Sequence, residues 1–156
     1  MKRILLFLAF VLTCSVSYAQ KTWKVGDFYD VNGKQGVVFW VASDGMHGKI
    51  ISLYQTYTPK WEEAKKWCSN LGSGWRLPSK GELLYVQKMK NTINQALSTI
   101  GNMIGEVIDE INGEKQYWSS TVDASGCAWF VDMSDGNTGN LNWGDYYYYV
   151  RAVSAF

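Results

Sequence analysis

The chain has 156 residues, 47% of them hydrophobic, and 15 Lys and Arg against 14 Asp and Glu give it a net charge of +1. That length holds one domain with a substantial core, and so even a charge balance lacks the basic footprint that nucleic acid demands. The exclusion is sharper locally, because from Trp118 to Phe156 Arg151 is the one basic residue, set against Asp123, Asp132, Asp135 and Asp145.

Met1 to Ala19 reads as a secretory signal peptide: Lys2 and Arg3, an apolar run from Ile4 to Leu12, then Ser17-Tyr18-Ala19 ahead of a cleavage point at Gln20. The alternative is a lipoprotein signal built on Cys14, although Thr13 stands where a lipobox has Gly, Ala or Ser. The run is shorter than the about 20 residues that span a bilayer. Residues 20–156 are therefore expected to be a single exported domain, secreted, periplasmic or at the cell surface, with no membrane span. Loss of Lys2 and Arg3 takes the basic count from 15 to 13 and the net charge to about −1. Cys68 and Cys127 remain, and the sequence leaves open whether they form a disulfide, which an oxidising compartment permits, or stay as two thiols.

Thr22 to Tyr57 reads as antiparallel β. Asp27 to Val31 is a short strand, Asn32-Gly33 a hairpin turn, and Gly36 to Val41 an apolar run without alternation, which implies a strand covered on both faces. Ser43-Asp44-Gly45 turns the chain toward a strand over Lys49 to Tyr54. Thr58-Pro59 has the chemistry of a helix start, and Trp61, Ala64, Cys68 and Leu71 form an apolar stripe that Gly72 ends. After the loop Gly74 to Pro78, Ser79 and Glu82 form a capping box for a helix over Lys80 to Lys90. Ile93, Ala96, Leu97 and Ile100 predict a third, short helix over Asn91 to Ile100. Met103 to Gln116 fits a helix by its isoleucine spacing or a hairpin by Asn112-Gly113, and is expected to be peripheral. From Tyr117 the chain returns to β: Ala128 to Met133 and Asn140 to Trp143 bracket the turn Ser134 to Asn137, and Tyr148 to Phe156 reads as one central strand.

The polar and aromatic residues of this last region carry the binding prediction. Tyr and Trp give rigid contact area at little entropic cost, and Asn and Asp give adaptable hydrogen bonding. Once Trp118, Trp129, Arg151 and Phe156 are assigned to the core, the candidate ligand surface is Asn137, Asn140, Asn142, Trp143, Asp145, Tyr146, Tyr147 and Tyr148. Catalysis is not expected. His47, the single histidine, lies in a turn, and no residue near Cys68 or Cys127 lowers a thiol pKa. No cofactor or metal is expected: Asp132, Asp135 and Asn137 could offer oxygens to Ca²⁺ but read more simply as a polar turn. Arg76 and Arg151 sit inside apolar strings and read as structural arginines paired with carboxylates such as Glu82.

Trp61-Glu-Glu-Ala64, Cys68, Leu71-Gly72, Trp75-Arg-Leu-Pro78, Glu82-Leu83, Tyr117-Trp-Ser-Ser-Thr121, Ala128-Trp129, Gly136 and Val150-Arg-Ala-Val153 to Phe156 together resemble bacterial C-type-lectin-like domains of the Lcl C-terminal-domain family. The resemblance implies an α+β C-type lectin-like fold: two main helices beside a twisted antiparallel sheet, the terminal strand pairing near the first, and a long loop region that contacts a protein or carbohydrate ligand. Calcium-dependent sugar binding is not implied, since the proline-containing motif of sugar-binding C-type lectins has no counterpart here. The long-range disulfide of animal C-type lectins does not carry over either, because Cys127 precedes an earlier strand. The fold also carries the variable proteins of diversity-generating retroelements, and the Asn, Asp, Ser, Cys and Tyr clustered between Asp123 and Tyr149 resemble a hypervariable pattern. The alternative role is a structural or adhesin subunit of a surface assembly, and a cysteine-dependent oxidase on the same fold stands behind both.

Overall fold

The computed structural model describes residues 21–141 and 147–156; the expected signal peptide, with Cys14, lies outside them. In chain order the elements are β1 (Phe28–Val31), β2 (Lys34–Val41), β3 (Gly48–Ile51), β4 (Thr56–Thr58), α1 (Trp61–Asn70), α2 (Lys80–Ile104), β5 (Gln116–Val122), β6 (Ala128–Asp132), β7 (Thr138–Leu141), β8 (Tyr148–Val150) and β9 (Val153–Ala155). The architecture is α+β with two helices, as expected. The strands form two sheets rather than one, ordered β1-β2-β3-β9 and β4-β8-β5-β6-β7, with β5 and β8 the parallel pair.

The first sheet follows the sequence closely. Asn32 and Gly33 both have positive φ, 53° and 77°, the geometry that a two-residue hairpin turn needs to match strand twist. β2 is covered on both faces: Val37 and Phe39 join one core with α2, while Val38 joins another with Ala64 and Cys68 of α1. Period-two alternation thus divides one apolar run between two cores.

The expected terminal strand is broken in two. β8 lies between β4 and β5 in the second sheet, and β9 pairs with β3 in the first, so Arg151-Ala152 carries the chain from one sheet to the other. The terminal strand therefore neighbours β3 and not β1. Arg76 adds a backbone bridge to Val153 on the outer side of β9. Arg151 itself is 1% exposed, and among the described residues its partners are not the expected carboxylates. Its guanidinium donates to the carbonyls of Ser52 (2.8 Å), Leu53 (2.9 Å) and Asp109, and Nε donates to Gln55 Oε1 (3.2 Å). These carbonyls lie outside the strands, just past β3 and in the 105–115 segment, and a planar, multi-donor side chain can satisfy all three.

The helices differ from expectation at their ends. Thr58 belongs to β4, and α1 begins after Lys60 with no side-chain cap; Thr58 Oγ1 accepts from Lys60 N–H at 3.2 Å and donates to Glu63 at 2.8 Å. Leu71 lies beyond the last turn and is exposed. α2 has the capping box at Ser79 and Glu82 but runs unbroken for 25 residues, so the short third helix is its second half. Ile93, Leu97 and Ile100 continue the buried stripe of Leu83 and Val86, and nothing interrupts the helix until Gly105 closes it with φ 72°. Residues 105–115 form neither a helix nor a hairpin, and the segment is not peripheral, since Ile108 and Ile111 enter the core beneath α2. It packs directly on the helix end: a Cβ on Gly101 would lie 2.7 Å from Glu106 O.

Glu82 is the charged hub beside the cap. Arg76 grips it with two bonds (2.7 and 2.8 Å), Lys49 donates at 2.8 Å and Ser79 N–H at 2.8 Å. Burial would raise its pKa, but the bonds from Arg76, Lys49 and the Ser79 N–H outweigh burial and bring it down to about 2.

Candidate functional site

The second sheet sorts the tyrosines by strand phase. Tyr57, Tyr149 and Tyr117 are in register across β4, β8 and β5 and share the face toward α2, where Tyr117 is core and Tyr149 packs at its margin. Tyr148, one residue out of phase, points the other way. It is 6% exposed, stacks on Phe130 at 4.9 Å and meets Trp118 edge-on at 4.6 Å. Tyr148 therefore leaves the set of predicted ligand contacts, because period-two alternation buries it in the α1 core.

What the α2 face leaves open is an aromatic rim. Tyr57 and Tyr147 are each 62% exposed with ring centroids 5.7 Å apart, and Tyr149 lies 6.0 Å from Tyr57. The rim borders a groove of about 740 Å³ lined by Gln55, Thr56, Tyr57, Tyr149, Lys90 and Asn94 of α2, and the loop Asp109 to Gly113. The loop is clamped residue by residue: Asp109 O accepts from Arg151, Glu110 O from Gln55 Nε2 (3.5 Å), and Ile111 uses both its N–H and its carbonyl on the Asn94 amide (2.8 and 3.0 Å). Gln55 Oε1 also accepts from Tyr117 OH at 2.7 Å, tying the sheet, the groove and Arg151 into one network. A clamped backbone presents the exposed Asp109 and Glu110 carboxylates at defined positions.

The predicted surface is thus divided. Asn137 and Asn140 are exposed on the hairpin and strand at the β7 edge, at the opposite end of the sheet from Tyr147 and Tyr57. Asn140 is engaged by Asp123, and Asn137 by Asp135. Asn142, Trp143, Asp145 and Tyr146 lie outside the described residues. Sequence reasoning missed Tyr57, Asp109 and Glu110. Tyr57 belongs to a three-residue edge strand far from the aromatic run, and the two acids lie in the segment expected to be peripheral. The signal for Tyr57 was the alternation Thr-Tyr-Thr.

Other candidates resolve into structure. Cys68 and Cys127 are buried thiols and no disulfide joins them. Cys68 faces the core from α1, whereas Cys127 sits in the β5–β6 turn with its N–H on Asp123 Oδ1 at 2.9 Å. Burial pushes the Cys68 thiol up to about 12, so it stays protonated at neutral pH. His47 is an exposed turn residue, 2.6 Å from Asp44. In the β6–β7 turn, Asp132 Oδ1 accepts from Ser134 N–H and Asp135 Oδ1 from Asn137 N–H, each at 2.8 Å, so these oxygens hold the turn. Among the described residues no helix is long and apolar enough to cross a membrane.

A search of curated proteins returned no significant match. The family model described as Lcl C-terminal domain matches residues 29–154, from β1 to β9 and including every element of the groove. The chain therefore belongs to the Lcl C-terminal domain family.

Proposed function

We propose that the chain is an exported module that binds a carbohydrate or protein ligand at a bacterial cell surface, through the tyrosine rim and the groove beside it. The observation that carries this reading is the exposure of Tyr57 and Tyr147 next to a groove whose loop is held at three consecutive residues. Exposed, mutually packed tyrosines over a fixed polar wall offer contact area and hydrogen bonds with little ordering cost on binding. Family membership supports a surface module. The protonated Cys68 and the solvated His47 favour binding over catalysis. Tyr57→Ala and Tyr147→Ala should each weaken ligand capture on glycan and protein arrays by about tenfold or more while the melting temperature stays near that of the parent. Full retention of binding by the double variant would place the ligand elsewhere.

A structural subunit is the second reading, supported by the exposed Met103 (70%), Ile104 (45%) and Val107 (95%) at the end of α2. Concentration-dependent assembly in sizing chromatography, abolished by Val107→Glu, would favour it; a monomer at all concentrations removes it. Diversification between Asp123 and Tyr149 would change surface at the exposed Ser125, Asn137, Asn140 and Tyr147, but would strike core at Cys127 and Tyr148. A reverse transcriptase gene and a near-repeat of the coding sequence differing at adenines are what that idea requires of the neighbouring DNA.

A further inference from the structure

The sequence holds two Asn-Gly pairs, Asn32-Gly33 and Asn112-Gly113. In such a pair no side chain shields the glycine nitrogen, which can therefore approach the side-chain amide before it. Both asparagines are exposed, so accessibility does not separate them. Backbone geometry does. Asn32 is left-handed, φ 53°, in a turn closed by the pairing of Val31 with Lys34. That conformation turns the following nitrogen to the side opposite Cβ, and the strand pairing keeps it there. Asn112 lies outside the left-handed region, and its side chain folds back along its own peptide: Oδ1 accepts from Glu114 N–H at 2.8 Å. The ring closed by that bond runs through Gly113 N, which brings the amide carbon beside that nitrogen.

The surroundings of Asn112 favour attack by that nitrogen. The Glu114 N–H points at the oxygen on which negative charge develops, as an oxyanion donor does. Lys90 packs so closely on Gly113 that a Cβ there would lie 2.8 Å from Nζ, and its positive charge favours both the anionic nitrogen and the oxyanion. A bond to Met133 O at 2.7 Å holds Lys90 in place. The backbone is fixed on both sides, with Ile111 on the Asn94 amide (2.8 and 3.0 Å) and Asn112 O accepting from Lys115 N–H at 3.3 Å. The Nδ2 end of Asn112, the leaving group, is held by none of the described residues.

We propose that Asn112 is a site of spontaneous deamidation promoted by the fold, while the turn at Asn32 protects the other pair. The Gly113 nitrogen gives its proton to water and bonds to Asn112 Cγ; the Cγ–Nδ2 bond breaks, and ammonia leaves a cyclic imide. Water then opens the imide, at the side-chain carbonyl to give aspartate or at the main-chain carbonyl to give isoaspartate, and nothing is oxidised or reduced. The proposal does not depend on what the groove binds. The test incubates the full chain at mildly alkaline pH, native and in denaturant, and follows both pairs by peptide mapping in a mass spectrometer, with isoaspartate-specific methylation as a second readout. Asn112 is expected to convert at least as fast in the native chain as in denaturant, whereas folding slows Asn32 by about tenfold or more. Lys90→Gln is expected to slow Asn112 about threefold in the native chain and to leave its rate in denaturant unchanged. Slower conversion of Asn112 in the native chain than in denaturant, native conversion of Asn32 as fast as that of Asn112, or a native Asn112 rate indifferent to Lys90→Gln would overturn the proposal. The first two comparisons use the parent chain alone, so they stand even if the variant does not fold.

Discussion

Glu82→Gln tests whether the buried charge hub, rather than the cap alone, secures the start of α2. Gln retains the shape and the reciprocal capping bond but loses the charge that Arg76 and Lys49 hold. The gap between an ordinary glutamate at 4.5 and the folded value of about 2 corresponds to about 3 kcal/mol at about 1.4 kcal/mol per pH unit. The Arg76 side chain is 49% exposed and that of Lys49 35%, so solvent screening brings the expected loss at neutral pH to about 2 kcal/mol. The depressed pKa fixes the sign: this stability is complete above about 4.5 and disappears as pH falls toward about 2. Urea denaturation of both proteins at a series of pH values should show a gap of about 2 kcal/mol at pH 7 that narrows below pH 4.5. Other carboxylates titrate in both chains and cancel. A gap that stays constant from pH 7 to pH 3, or no gap at pH 7, would refute the reasoning.

Further outcomes follow from the same geometry. Tyr148→Ala should cost about 3–5 kcal/mol in urea denaturation, as loss of a buried aromatic does, whereas Tyr147→Ala should stay within about 0.5 kcal/mol of the parent; similar costs would mean the strand phase is misassigned. Arg151→Met should cost about 3–5 kcal/mol by leaving the Ser52, Leu53 and Asp109 carbonyls without their donor, and should also raise hydrogen exchange at Ile111. In a Cys127→Ser background, Cys68 should resist an aromatic disulfide reagent in the native protein and react at once in denaturant; equal rates would contradict its burial.

The sequence spoke most clearly where one residue type answers one backbone need. Asn32-Gly33 could supply two positive φ values in succession, and Ser79 with Glu82 could cap a helix from both sides. The even apolar texture of β2 announced two covered faces. The tyrosine run defeated the same reasoning. Four consecutive rings carry no alternation, so nothing in the sequence says that Tyr148 points to α1 and Tyr149 to α2 until Val150 is paired with Thr56. The 105–115 segment misled differently, because its isoleucine spacing suits a helix while Gly105 in the left-handed region ends one. Arg151 was legible as buried, but its partners are backbone carbonyls about a hundred and about forty residues away, in segments outside the strands that no local pattern foretells. The groove unites residues from β4, α2, a loop and β8, a juxtaposition created only by the crossing of sheets.

The division of residues 148–155 between the sheets also bears on how the molecule assembles. β9 supplies the outer neighbour of β3, and among the described residues β8 is the one strand paired with β4, so a nascent chain that has reached only residue 147 holds both sheets unfinished. Contacts such as Ser52 with Ala152, about a hundred positions apart, must close at a high entropic cost before they return stability. The pairings that complete the two sheets are thus among the most distant in sequence. A polypeptide built this way keeps both sheets open to solvent along one edge until residues 148–155 are in place.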